Sequence, residues 1–243
     1  MKKIISFIVL AIFASAIFIS CKKSSDPTPT PFKCATCSAT PTAVAANDAS
    51  SKGIYKGVVS GSTGTIVFDI LNAGATITAK MVLDGVTVNL TSSVTWVSGQ
   101  PYVAPFTGTF NGSAISITFS VGITGSTPTV TTSSIPGHPG SSFVIAKETS
   151  TSMIEAFEGT YHTTLPEDGT FNLLLSRTAR IWGADARKNG ATGTTGSAEG
   201  SITADNKLVD TGTTVGTLSG DEINGSSLDG NGKTVTITAK RTL

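Results

Sequence analysis

The chain has 243 residues, 39% of them hydrophobic and 14% charged, with 26 glycines and 7% aromatic residues. It is too apolar for a wholly disordered protein and too poor in charge for a coiled coil. Seventeen Lys and Arg against sixteen Asp and Glu give a formal charge of +1, which supplies no field to gather nucleic acid or anionic substrates. Ser and Thr together make up roughly a quarter of the residues, a bias toward strands and turns, so the expected class is all-β.

At the N-terminus, Lys2 and Lys3 precede an apolar run from Ile4 to Ile19 that is interrupted only by Ser6 and Ser15 and ends at Ser20-Cys21. This is the layout of a secretory signal over residues 1–20, and the run is shorter than the about 20 residues of a spanning helix. The segment Phe18-Ile19-Ser20-Cys21 resembles the signal of bacterial lipoproteins, with Phe18 where that pattern usually has Leu, Val or Ile. The resemblance covers only the first 21 residues. It implies that the Cys21 thiol receives a diacylglycerol by thioether linkage, that a dedicated peptidase cuts just before it, and that the new amine is acylated. Two or three acyl chains hold a protein on a bilayer where a single chain holds it only marginally. Lys22-Lys23 and the relaxed box resemble lipoproteins of the Bacteroidota, in which lysine and acidic residues behind the cysteine can mark surface export; Lys22-Lys23-Ser24-Ser25-Asp26 fits that pattern in part. The implied location is the outer membrane, anchored by the N-terminal lipid, with the leaflet open.

Residues 21–50 read as a Pro/Thr/Ala-rich tether. Asp26-Pro27-Thr28-Pro29-Thr30-Pro31 alternates Pro with Thr and favours extended polyproline II; low complexity continues from Ala35 to Ala46, and ordered structure is expected from about Ser50 onward. Cys34-Ala35-Thr36-Cys37 is a CxxC pair without a thioredoxin or zinc-ribbon context, since a tetrahedral zinc site needs four ligands and His138 and His162 lie far away. In an exported chain the expected state of Cys34 and Cys37 is a local disulfide.

Two β modules follow, over residues 51–149 and 150–243. Gly53-Ile54-Tyr55 followed by Gly64-Thr65-Ile66-Val67-Phe68 recurs about 105 residues later as Gly159-Thr160-Tyr161 and Gly169-Thr170-Phe171, and Phe143 to Lys147 is similar in type to Val235 to Lys240. Strands are expected at Tyr55 to Ser60, Thr65 to Leu71, Thr76 to Leu83, Val86 to Val97, Tyr102 to Asn111, Ala114 to Val121 and Phe143 to Lys147, with a shorter, more polar set in the second module. Asp84-Gly85, Asn111-Gly112, Asp168-Gly169, Asn189-Gly190, Asn224-Gly225 and Asn231-Gly232 can each supply the positive φ of a tight turn. Successive strands are therefore antiparallel neighbours, and the alternation at Thr76 to Leu83 and Ala114 to Phe119 buries one face of each. The architecture is an antiparallel meander forming a β-sandwich or barrel with an internal duplication. Whether the modules share one barrel or hold separate cores is left open. Ser150 to Phe157 is the one helical candidate, with a shorter turn at Asp48 to Lys52. An outer-membrane barrel is rejected, because so few aromatic residues cannot furnish two girdles.

No motif names a chemistry. The serine elbow and the phosphate-binding loop are absent, so no catalytic residue, metal or cofactor is assigned. His138 and His162 are expected on the surface, and Asp84, Asp168 and Asp229 at turns. Asp229-Gly230-Asn231-Gly232 opens like a calcium loop but carries Lys240 where the loop needs Glu. The speculative ligand-binding residues are aromatic: Trp182, read as the better exposed candidate, with Trp96 and Tyr102. Tyr55 and Tyr161 are expected in equivalent core positions. The functional expectation is a non-catalytic, lipid-anchored binding or structural module whose partner is a glycan, a protein or a small apolar ligand. The alternatives are a carrier barrel resembling lipocalins, marked by a closed wall around an apolar interior of a few hundred Å³, and a secreted hydrolase using two convergent acids.

Overall fold

The computed structural model describes residues 31–60, 63–165 and 167–243; the signal at 1–20, Cys21 and the first part of the tether lie outside the described residues. The remainder is all-β. Eight strands form the first sheet: β1 (Gly53–Ser60), β2 (Gly64–Ile70), β3 (Ile77–Leu83), β4 (Val86–Thr91), β5 (Tyr102–Phe110), β6 (Ser113–Val121), β7 (Thr129–Ser134) and β8 (Ser142–Glu148). They run as a meander in which β8 returns to pair with β1, giving the order β7-β6-β5-β4-β3-β2-β1-β8. The turns that set the register are the ones their chemistry favours. Asp84 and Gly85 (φ 49° and 77°) join β3 to β4, and Asn111 and Gly112 (φ 49° and 79°) join β5 to β6, matching the twist of the flanking strands. Alternate residues of β3 and β6 point inward, and the sheet curls around a filled interior. Phe68 stacks on Phe119 at 4.4 Å, meets Phe106 edge-on at 5.0 Å, and Tyr55 lies 5.1 Å from Phe119.

The second sheet contains β9 (Glu155–Thr163), β10 (Glu167–Ser176), β11 (Ile181–Lys188), β12 (Gly196–Ile202), β13 (Lys207–Asp210), β14 (Thr213–Ser219), β15 (Glu222–Leu228) and β16 (Thr234–Arg241). This meander closes on itself, with β16 pairing β9, into an eight-stranded antiparallel barrel. Closure removes the free edges that would otherwise invite pairing with other chains.

The two sheets meet along β1, which is buried over its whole length. One face of β1 carries Tyr55 and Val59 into the first core. Its other face sets Val58 against Ile154, just ahead of β9, and against Ala156 and Leu174 of the second sheet. Asn172 Nδ2 donates to the Val59 carbonyl across this joint at 2.5 Å, and Lys56 Nζ meets Glu148 Oε2 at 2.5 Å with both side chains buried.

Several local expectations are corrected. The segment Ser150 to Phe157 is not a helix: a β-bridge joins Thr149 to Ser152 and β9 begins at Glu155, because Ile154 and Phe157 serve two different cores instead of one helical face. The short helical turn falls at Ala45–Asn47, ahead of Asp48 to Lys52. β4 stops at Thr91, short of Val97. Asp168-Gly169 and Asn224-Gly225 lie inside β10 and β15; Gly225 is there for close approach, since a Cβ would come within 2.0 Å of the Val215 carbonyl. The repeat is also registered differently from the sequence match. Tyr55 pairs with Phe68 and Gly57 with Ile66, while in the second sheet Phe157 pairs with Leu173 and Gly159 with Phe171. Phe157 is thus the counterpart of Tyr55, and Tyr161 stands further along its strand, where it faces Gly169. The Gly-Xaa-Tyr match compares the start of one strand with the middle of another.

Residues 31–50 are a docked strap, so order begins well before Ser50. The Phe32 carbonyl accepts from Asp221 N (3.0 Å), Cys34 N donates to Asp221 Oδ2 (2.9 Å), and the Ser38 carbonyl accepts from Arg241 Nη2 (2.6 Å). Thr42 gives both its N–H (2.7 Å) and its hydroxyl (2.8 Å) to Glu148 Oε1, and Val44 N donates to Asn72 Oδ1 (2.9 Å). Low complexity did not prevent docking because most of these contacts use the strap's backbone, which any sequence carries. Within the strap Cys34 and Cys37 are joined by a disulfide, with Cα atoms 5.4 Å apart.

Candidate functional site

An eight-stranded barrel is just wide enough for side chains to fill it, so the size of its inward-facing residues decides whether it is solid or hollow. In the second barrel the two ends differ. Near one end, Phe157, Leu175, Ile202, Leu218 and Ile223 pack together and are almost fully buried. That end is also sealed by charge: Glu155, 1% exposed, takes Arg177 Nε at 2.8 Å and Arg241 Nε at 3.4 Å, Asp221 joins both arginines, and the strap lies across them. Toward the other end the same strands turn small residues inward, including Gly159, Gly169, Ala184, Ala186 and Ala198. The result is a cavity of about 650 Å³ that opens at that end, inside the usual range for small-molecule sites.

Its deep wall is apolar. Phe171, Leu173, Trp182, Leu208 and Ile237 line it. Trp182 alternates with outward Ile181 and Gly183 on β11, and its indole Nε1 donates to the Ser201 carbonyl at 3.2 Å, which fixes the ring in the wall. At the mouth, Tyr161 donates to Glu167 Oε1 at 3.2 Å and Lys188 Nζ reaches Glu167 Oε2 at 3.1 Å. The hydrogen bond from Lys188 holds the Glu167 carboxyl below the usual carboxylate range. Burial, with the Glu167 charge beside it, pushes the Tyr161 phenol up. Both groups therefore keep their ordinary charge state at neutral pH, Glu167 ionised and Tyr161 protonated.

Of the aromatic candidates, Trp182 alone lines this cavity, and it is 6% exposed, buried in the wall and not on the surface. Trp96 belongs to the first sheet, where its Nε1 donates to Ser51 Oγ at 2.8 Å and Lys52 Nζ sits 4.2 Å from the ring centroid. Tyr102, 2% exposed, gives its hydroxyl to the Val94 carbonyl at 3.2 Å. Both are packing residues of the solid sheet. His138 is half-way into the surface against Phe110 and pairs with Asp84 at 3.2 Å, and His162 pairs with Asp168 on an exposed strand. The buried carboxylates Glu148 and Glu155 are held by cations outside the cavity. Sequence reasoning missed Tyr161, Phe171 and Leu173 as lining residues. The signal that could have found them is the alternation of Gly and Ala on successive strands of the second module, a row of small inward positions where a solid barrel would carry Val, Ile or Leu.

Comparison with protein-family models, with curated proteins and with solved structures returned no match. The functional reading rests on the cavity's own geometry and chemistry.

Proposed function

We propose that this protein is a carrier barrel that holds a small apolar molecule in the second barrel, and that it works at the cell envelope, tied to the outer membrane by a lipid on Cys21. The observation that carries the first half is the open-ended cavity of about 650 Å³ with Trp182 in its wall. A chain that needed only a stable module would fill this volume as it fills the first sheet, since empty apolar space costs stability. The second half rests on the signal pattern ending at Cys21.

The two tryptophans provide the test. Trp182 lines the cavity and Trp96 does not, so the Trp96→Phe protein reports on the cavity alone. Titration with an apolar naphthylamine dye should give saturable energy transfer from Trp182. The double substitution Ala184→Phe and Ala198→Leu, which fills the hollow half of the barrel, should abolish that transfer while leaving the β-type circular dichroism unchanged. Absence of saturable transfer, or equal transfer in the filled variant, overturns the reading.

A further inference from the structure

The cavity wall carries charge of one sign. Among its lining residues are Glu167, Asp185, Asp210 and Asp229, and none is Lys or Arg. Two of these carboxylates are already engaged at the mouth. Glu167 is held by Lys188 and Tyr161, and Asp229 Oδ1 accepts the N–H groups of Asn231 and Lys233, both at 2.8 Å. Asp185 accepts from Ser142 Oγ at 2.9 Å. Asp210 differs: among the described residues its carboxylate has no hydrogen-bond or ion-pair partner. It ends β13, just past a register shift between Leu208 and Val209 in the pairing with β14, and it lines the barrel cavity.

The wall is also thin beside Asp210. β12 and β13 share only two paired positions, Ser201 with Val209 and Ile202 with Leu208, and a second hollow of about 370 Å³ lies against the outside of β11 and β12. Asp210 lines both spaces, and the outer one adds Glu199 and again no Lys or Arg. An apolar chain in the cavity would thus present its polar end to a carboxylate that has no partner among the described residues, in a wall that holds no Lys or Arg. A carboxylate or phosphate head would be repelled there, and a hydroxyl would gain one hydrogen bond to the anion. A protonated amine would gain that bond and the attraction of the opposite charge as well.

We propose that the cavity selects an apolar molecule bearing a protonated amine, with Asp210 as the counter-ion that sets this preference; the proposal rests on the cavity being the binding site. The test uses decylamine, decanol and decanoate, each below its aggregation concentration at neutral pH, titrated into the Trp96→Phe protein and read by Trp182 emission. Decylamine should bind about tenfold more tightly than decanol, the scale of one added opposite charge at close range near a protein surface, and decanoate should bind weakest. Asp210→Asn should remove the advantage of the amine and leave decanol within about twofold. Decanoate binding as tightly as decylamine, or an amine preference that survives Asp210→Asn, overturns the assignment of Asp210. Binding of decanol without any advantage for the amine also overturns it while leaving the carrier reading intact, whereas failure of all three to bind removes the carrier reading itself.

Discussion

Replacing Lys56 with Met tests the joint between the two sheets. Glu148 is completely buried and Lys56 is 5% exposed at the side chain. The carboxylate accepts from Thr42 N and Oγ1 and from Ile154 N, and Lys56 Nζ also donates to the Ile154 carbonyl at 3.2 Å. Met keeps the apolar stem and removes the cation, leaving an anion in an apolar surround with three neutral donors. Breaking a buried pair from one side costs about 3–5 kcal/mol, and the remaining donors argue for the lower figure. For a chain of this size about 3 kcal/mol corresponds to roughly 10 °C in Tm. The pH dependence carries a second signature. In the native protein burial pushes the Glu148 carboxyl up, but the hydrogen bond from Lys56 and those from Thr42 outweigh it and bring it below its ordinary value of 4.5. Its stabilising contribution is therefore present above pH 4.5 and is lost as pH falls through the lower folded value. Without Lys56 burial has less opposition, the folded value rises, and the variant binds its proton more readily folded than unfolded. The deficit of Lys56→Met should be largest near pH 8 and should narrow as the medium is acidified. Urea unfolding from pH 8 to pH 4 measures both effects. A deficit under about 1 kcal/mol, or one that stays constant with pH, would refute the reasoning, and the pair Lys56→Met with Glu148→Leu should recover much of the loss.

Two further outcomes follow from other parts of the chain. A Cβ on Gly159 would lie 2.2 Å from the Thr238 carbonyl and 2.6 Å from Ala239 Cβ, so Gly159→Ala must push β9 from β16; a loss of about 1–3 kcal/mol in chemical unfolding is expected, and an unchanged midpoint would show that the barrel yields at no cost. Metabolic labelling with a radioactive fatty acid should mark the wild-type chain and fail to mark Cys21→Ala, which should accumulate as the longer precursor. An unlabelled wild-type chain would remove the lipid anchor from the proposal.

What the sequence made legible was what local chemistry decides. Asp84-Gly85 and Asn111-Gly112 fix their turns within a few residues, and the alternation in β3 and β6 follows from one wet and one dry face. β7 was missed because Thr129 to Ser134 is almost uniformly polar and exposed and is held by its pairing with β6. The strap was read as a free tether because its docking depends on groups far along the chain: Asp221, Arg241 and Glu148 need partners, and nothing in residues 31–50 announces them. The cavity lining was missed for a related reason. Hollowness is a property of all the inward positions together, so no single Gly or Ala signals it. Trp182 was read as an exposed residue because Arg180 and Gly183 flank it in a polar module, but the side it faces depends on the register of β11, which those neighbours do not reveal, and it is buried.

The doubly buried strand β1 has a thermodynamic consequence. Were the second barrel to open, it would uncover Val58 and Leu174 and leave the Asn172 amide without the Val59 carbonyl; were the first to open, it would strip the same face from the other side. Neither can loosen cheaply alone, so their local stabilities are linked through a shared face. A molecule held in the hollow barrel would then stabilise the solid one as well, by mass action on a common equilibrium. Occupancy would be felt across the whole fold as resistance to opening, at positions that never touch the cargo.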